Sequence, residues 1–312
     1  MMSLRVPLYF LALIGLSVGL HIFCQKQTHG FRPYLILSNL PNDPRWEVPP
    51  LAPEEQKNID QLLDQPFTFL GSGGWCFAFL GQDQKTVLKF YRHSHLLPTS
   101  IAKEFSFKKL FLESDPWPSN ISYFQEFNFK SCMLLYAHAK ERSGILYVHI
   151  NKTQGKHKAV TLIDNIGIHH VIDLDKTEFI VQKKADLLFP HLHRLSKQQK
   201  TDEAKRSLDD FLNCLLTLCK NGIRDYDRSL RNNFGFTEDG AITLDLSSFG
   251  FDETIKNPGH YKKEMVNKTQ RLSRFLRKYH PALYLHSEQR LSEIMEIGCL
   301  AHDENEDVTS EE

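Results

Sequence analysis

From Ile223 to Gly250 the sequence reads IRDYDRSLRNNFGFTEDGAITLDLSSFG, which sets aspartates and two adjacent asparagines around a short apolar hairpin. Asp227 and Asn232 are five residues apart, Asn233 directly precedes Phe234-Gly-Phe236, and Asp245 follows the apolar strand Ala241 to Leu244. Upstream lie a glycine-rich run, Gly71-Ser72-Gly73-Gly74, and a lysine, Lys89, at the end of a Val-Leu-Lys triplet. Phosphoryl transfer needs residue types of this kind: groups that hold the phosphates, oxygen ligands for magnesium, and a carboxylate near the acceptor hydroxyl. Loops rich in Asp and Asn also merely cap or turn a chain. The glycine run is what favours a site.

Two ambiguities stay open inside the acidic loop. Asp225 also lies in an Ile-Arg-Asp triplet, but the residue five beyond it is Leu230, which cannot ligate a metal, so Asp227 is the better catalytic acid. Asn232 has the five-residue spacing, whereas Asn233 stands directly before the strand and is slightly favoured as the metal ligand.

These residues need elements to carry them. Phe67 to Gly81 reads as strand, glycine turn, strand, and Gln82 to Lys85 turns the chain into a third strand, Thr86 to Tyr91. In a dinucleotide-binding fold the glycines would open a helix, but Trp75 to Leu80 is aromatic and β-prone, so that reading fails. Helices are expected over Ser100 to Leu112 and Ile121 to Arg142, with Gly144 as C-cap, followed by strands Ile145–Ile150, Ala159–Ile163, His170–Leu174 and Glu178–Gln182. The apolar stripe Leu208, Phe211, Leu212, Leu215, Leu216 and Cys219 marks a helix that Asn221-Gly222 stops just before the acidic loop. Phe234 to Leu244 forms a hairpin that would put Asp227 and Asp245 on one rim.

With these residues in view, the chain resembles the protein-kinase-like superfamily. More narrowly, it is similar to a group of uncharacterised kinase-like proteins of intracellular bacteria that share phrases such as FLGSGGWCFAFLGQDQKTVLKFY, SGILYVHINKT, IDLDKTEFIVQKKA and KNGIRDYDRSLRNNFGF. The resemblance spans roughly residues 65 to 252. It implies an α+β, two-lobed fold with an antiparallel β-rich N-lobe and a helical C-lobe, and it implies ATP and Mg²⁺ as cofactors. In that frame the strip Gly71, Ser72, Gly73, Gly74 and Ala78 covers the nucleotide, Lys89 contacts its phosphates, and Gln182 to Lys184 forms the hinge. Asp227 is then the catalytic base, and Asn232 or Asn233 with Asp245 holds magnesium. Glu104 is the first choice as partner of Lys89 and Glu126 the second. Departures are present: Cys76 occupies the place of the third glycine, Asp245-Leu-Ser247 replaces D-F-G, and no A-P-E follows. The segment after Asp245 is too short for a full helical lobe, which weakens a protein substrate and leaves the hydroxyl acceptor, protein or small molecule, unnamed. A pseudokinase serving as a membrane-tethered nucleotide-binding or interaction module is the alternative. Retention of Lys89, Asp227, an Asn and Asp245 together favours activity.

Composition narrows the partners. Lys plus Arg equals Asp plus Glu at 38 each, so no net basic field draws the chain to nucleic acid. The six cysteines show no C-x-x-C and no zinc spacing, and are expected as mostly buried free thiols. His169-His170 resembles a metal pair only superficially, because neighbours in a strand point to opposite faces. Asn120, Asn151 and Asn267 stand in glycosylation sequons, which matter only in a eukaryotic secretory route.

The apolar stretch at residues 6–24 is close to the roughly 20 residues that cross hydrocarbon. It is read as a single-pass N-terminal membrane anchor, with secretion after signal cleavage as the alternative. The expected organisation is an anchor at 1–25, a Pro-rich linker at 26–53 of which residues 38–53 are read as an extended stalk, an N-lobe at 54–185, a C-lobe at 186–301 and an acidic tail at 302–312. A short helix from Pro53 to about Asp64 begins the lobe, with Ile59, Leu62 and Leu63 on one face.

Overall fold

A computed structural model describes residues 5–38, 40–93, 121–227 and 229–306. The expected helix Ser100 to Leu112, Glu104 within it, and the sequon at Asn120 lie outside the described residues. The chain is mixed α+β and divides into two compact units: Met1–Asn120 with His149–Val181, and Ile121–Val148 with Gln182–Glu312.

The first unit opens with helix α1, Arg5–Gln27, and helix α2, Pro53–Leu63, which buries Ile59 and Leu63. Strands β1 (Phe67–Ser72), β2 (Cys76–Gly81) and β3 (Thr86–Tyr91) form the expected antiparallel meander. Strand β4 (Ile145–His149) carries the chain into this unit, and β5 (Val160–Ile163), β6 (His169–Ile172) and β7 (Phe179–Lys183) follow. Within this unit the sheet runs in the order β7-β3-β2-β1-β5-β6. Strands β2 and β5 alternate in burial as a two-residue period requires, while β3 and β7 are buried along nearly their whole length. Phe77, Phe79, Leu88 and Phe90 are fully buried on one face.

The Pro-rich linker packs on this unit, and residues 38–53, expected as an extended stalk, bury Leu40 and Trp46. Phe31 meets Phe77 and Phe79 edge-on at centroid distances of 5.3 and 5.0 Å. Leu35, Ile36, Leu40 and Trp46 are buried behind it. The backbone N–H of Ser38 donates to the Lys176 carbonyl at 3.0 Å. Asn151 closes a reciprocal pair with Asp43, accepting from its N–H at 3.1 Å and donating to its carbonyl at 2.9 Å. The prolines stiffen the path of this segment, while the apolar residues between them decide that it docks. Phe31→Ala is therefore expected to destabilise the protein by about 3–5 kcal/mol, the usual cost of emptying a buried aromatic site. A solvated stalk would lose nothing measurable in a urea titration.

The second unit begins with α3 (Ile121–Phe124), which passes through one π-helical turn, Gln125–Phe129, into α4 (Lys130–His138). The short α5 (Lys140–Ser143) ends at Gly144, whose φ of 61° gives the left-handed cap expected there. Later come β8 (Asp186–Leu187), α6 (Leu188–Lys197) and α7 (Thr201–Lys220), the last buried along Leu208, Phe211, Leu212 and Leu215. Gly222, at φ 73°, turns the chain into β9 (Ile223–Asp225). The hairpin β10 (Phe234–Thr237) and β11 (Gly240–Thr243) and the strand β12 (Phe249–Phe251) complete the loop region. Two long helices, α8 (Pro258–Tyr279) and α9 (Pro281–Glu306), close the unit, and α9 runs on into the acidic stretch that was expected to be a tail.

Among the described cysteines, Cys132, Cys214 and Cys219 are buried free thiols, while Cys24 and Cys76 are half-buried. Burial pushes the Cys214 thiol up to about 12, which removes it from thiolate chemistry.

Candidate functional site

Three of the residues singled out in the first unit fall in one row. Gly71 pairs with Ala78 across β1 and β2, and Ala78 pairs with Lys89 across β2 and β3. A slip in register between Phe69 and Gly71 sets this row. A Cβ at Gly71 would meet nothing within 4 Å, so the backbone there is open to a close approach. The glycine turn is closed by Gly73 N–H donating to the Cys76 carbonyl at 2.8 Å. Lys89 is half-buried between the buried Leu88 and Phe90.

In the second unit the loop between β9 and β10 is organised by side chains. Asp227 accepts from the Ser229 N–H at 2.8 Å through Oδ1 and from Asn233 Nδ2 at 2.8 Å through Oδ2. Asn233 is buried, while Asn232 is exposed. Asn233 also accepts, through its carbonyl, from the Leu244 N–H at 2.7 Å and the Thr243 hydroxyl at 3.1 Å. The mouth of the β10–β11 hairpin thus brings Asn233 beside the strand end that carries Asp245. Asp245 is half-buried, and its Oδ1 accepts from the backbone N–H of Ser247 at 3.0 Å and from its hydroxyl at 2.7 Å.

Of the two asparagines left open by spacing, only Asn233 joins this constellation. Its Nδ2 is committed to Asp227, so its side-chain oxygen is the atom that could ligate a metal. Asp245 and Asn233 are hard oxygen donors of the type that suits Mg²⁺, which usually takes one or two carboxylates and fills its shell with water and phosphate oxygens. Among the described residues no three His, Cys, Asp or Glu side chains gather into a metal site of their own.

Gln182, expected at the hinge, directs its side chain inward. Its Nε2 donates to the carbonyls of Ser143 at 2.6 Å and Thr243 at 3.1 Å, so any nucleotide contact at this position falls to the backbone. Glu126 is exposed, with Lys130 one helical turn away at 3.0 Å. The histidine pair behaves as strand geometry requires: His169 is exposed, while His170 turns back to Asp164 at 2.9 Å.

The sequence did not bring out Lys268. It lies on α8, and its Nζ reaches the Asp225 carboxylate at 2.7 Å and also donates to the Asp227 carbonyl. Both side chains are buried, at 5% and 7% exposure. Asp225 further accepts from the Asp227 N–H at 2.9 Å and the Ser248 hydroxyl at 3.2 Å. It therefore ties the loop bearing Asp227 to the loop bearing Asp245. Burial pushes the Asp225 carboxyl up to about 6, against the opposing pull of Lys268. Ser248, at φ 66°, is held in the left-handed region that serine seldom adopts, and the Tyr226 N–H donates to its carbonyl at 2.9 Å. Ser131 on α4 pins the same loop, donating to the Leu246 carbonyl at 2.7 Å and accepting from the Phe249 N–H at 2.8 Å. The one signal for Lys268 was its place in the Asn267-Lys-Thr269 sequon, where Thr269 is buried and the segment is helical.

Arg224, next to Asp225, already meets Asp252 at 3.0 Å and Glu264 at 3.3 Å. Helix α8 begins at Pro258, so only a short segment separates Asp245 from the next long element.

No protein-family model and no curated protein matches the chain. Among solved structures it is similar to WbdD in a co-crystal structure with the kinase inhibitor LY294002, at 13% identity and a TM-score of 0.32, covering 74% of this chain and 45% of that one. The chain thus spans less than half the length of that protein. It is also similar to APH(2")-IIa in a ternary complex with streptomycin and ATP, at 11% identity and a TM-score of 0.28, covering 80% of this chain and 91% of that one. Both likenesses are remote, and the functional reading rests on the chain's own residues.

Proposed function

We propose that the chain is a kinase-like phosphotransferase that binds Mg-ATP and transfers its terminal phosphoryl group to a hydroxyl acceptor, and that α1 tethers it to a membrane. The observation that carries this reading is the clamp of Asn233 on Asp227 beside the strand end that bears Asp245. In this reading the open backbone at Gly71 and the charge of Lys89 are phosphate-binding features. Asn233 and Asp245 are oxygen ligands for the metal. Bound magnesium would neutralise charge that develops on the transferring phosphate.

Asp227 is the base in this scheme. Asn233 Nδ2 and the Ser229 N–H fix its carboxylate, so the loss of rotamer freedom is met before the acceptor arrives. As the acceptor oxygen forms its bond to phosphorus and the bond to the leaving diphosphate breaks, the hydroxyl proton passes to the Asp227 carboxylate. The short segment after Asp245 leaves little backbone on which to lay out a peptide, which favours a small hydroxyl-bearing acceptor.

The membrane part of the proposal rests on α1. Tyr9–Gln27 is a 19-residue stretch of mean hydropathy 1.4 with no part of it buried in the protein. Such a helix is long and apolar enough to span a bilayer, and a signal sequence passes the same measure.

The direct test is thermal unfolding of the full chain in detergent with ATP and Mg²⁺. Nucleotide at 100 times its dissociation constant should stabilise the fold by about 2.7 kcal/mol. Magnesium alone or ATP with chelator should give a smaller shift. No shift at saturating Mg-nucleotide would remove the phosphotransferase reading and leave a kinase-like interaction module.

A further inference from the structure

The exit of α1 into the first unit has almost no slack. Thr28 is buried, and its hydroxyl donates to the Cys24 carbonyl at 3.0 Å. The Gly30 N–H donates to the Gln25 carbonyl at 2.9 Å, and His29 stacks on Phe69 at 5.7 Å. One more contact reaches this helix end from a distant part of the chain. Asn165, in the turn between β5 and β6, donates through Nδ2 to the Gln27 carbonyl at 2.8 Å. The tip of that hairpin is therefore fastened where the candidate membrane span ends.

That tip is built to hold apolar side chains in the open. Ile166, Ile168 and Val171 are 43%, 51% and 76% exposed. From Asn165 to Ile172 there is no Asp, Glu, Lys or Arg. The turn is not loose: the buried Asp164 carboxylate accepts the N–H groups of Ile166 at 3.0 Å and Ile168 at 2.9 Å, with His170 on its other oxygen. Single exposed aliphatics are ordinary on a protein surface. Here three lie on one short, side-chain-braced edge hairpin whose tip is fastened to the end of α1, and the last turns of that helix also expose Ile22 and Phe23.

We propose that the β5–β6 turn is a second membrane contact, in which Ile166, Ile168 and Val171 enter the interfacial layer of the bilayer that α1 crosses and hold the first unit against the lipid. This rests on the reading of α1 as a membrane span. The occupant is lipid, since the tip is fastened to the end of the apolar helix and residues 165–172 carry no Asp, Glu, Lys or Arg that would select a protein partner. Two histidines, His169 and His170, are the only titratable groups among residues 165–172.

The test uses the full chain in phosphatidylcholine vesicles whose acyl chains are brominated either near the headgroup or near their ends. Tryptophan is introduced as Leu16→Trp in the middle of α1 or as Val171→Trp on the hairpin, and the emission of the parent chain is subtracted. The proposal expects Leu16→Trp to be quenched by the deep bromines and Val171→Trp by the shallow ones. Adding Ile166→Ser and Ile168→Ser to the Val171→Trp chain should abolish the shallow quenching while the chain still floats with the vesicles. Quenching at Leu16→Trp without any at Val171→Trp would overturn the hairpin contact and leave the span standing. Absence of quenching at Leu16→Trp would remove the span and, with it, the proposal as stated. Emission from Val171→Trp that is indifferent to bromine but shifts with protein concentration would assign the tip to a second copy of the chain and overturn the lipid contact.

Discussion

Asp245→Asn should weaken Mg-dependent nucleotide binding and turnover together, whereas Asp227→Asn should leave binding nearly intact and lower the chemical step by about 10²–10⁴-fold. The two residues sit in one constellation but hold different things. Asp245 keeps one carboxylate oxygen on Ser247, so its other oxygen is the charged ligand in the proposed scheme, and Asn would remove that charge. Asp227 has both oxygens oriented by Ser229 and Asn233, an arrangement that suits a base more than a metal ligand. Asn233→Ala should follow Asp245→Asn in binding and also loosen Asp227, while Asn232→Ala, at an exposed position, should do little. The checking measurement is calorimetric titration of Mg-ATP alongside phosphate release. Equal loss of nucleotide affinity in both aspartate variants would merge the two roles and remove Asp227 as the base.

The local elements were legible because each carries its own signal. The meander of β1 to β3 follows from aromatic strands broken by glycine, and α7 from its apolar stripe ending at Asn221-Gly222. The position of Asn233 directly before β10 was legible as well, since strand pairing then fixes its neighbours. Other features were hidden for physical reasons. Prolines in residues 38–53 signal a stiff path and say nothing about whether Leu40 and Trp46 find a surface, which is a tertiary matter. The inward turn of Gln182 depends on carbonyls at Ser143 and Thr243, both remote in sequence. Asp225 illustrates the same limit. Its five-residue partner, Leu230, set it aside as the catalytic acid, yet nothing in the loop announces that a lysine more than forty residues downstream reaches back to bury it.

That lysine gives the last expectation. Lys268→Met should destabilise the protein by about 3–5 kcal/mol at neutral and higher pH, because it leaves the Asp225 carboxylate buried without its counter-charge. The sign with pH follows from the raised carboxyl. A group whose folded pKa lies above its unfolded value contributes stability that is full below the unfolded pKa and lost as pH rises through the folded one. For Asp225 in the parent chain that window runs from the ordinary 3.8 up to about 6. Removing Lys268 takes away the charge that pulls the carboxyl down, so in the variant the window extends further upward. The deficit of Lys268→Met relative to the parent should therefore be small in acid and should grow as pH rises past 6, as read from urea midpoints across the pH range. The paired change Lys268→Met with Asp225→Asn keeps the shape and removes both charges, so it should recover much of the stability and lose the pH dependence. Turnover need not recover with it, since the Asp227 carbonyl still lacks the donor that Lys268 supplied. A Lys268→Met chain as stable as the parent at every pH, or a double variant no better than the single, would show that the ion pair does not hold the two loops together.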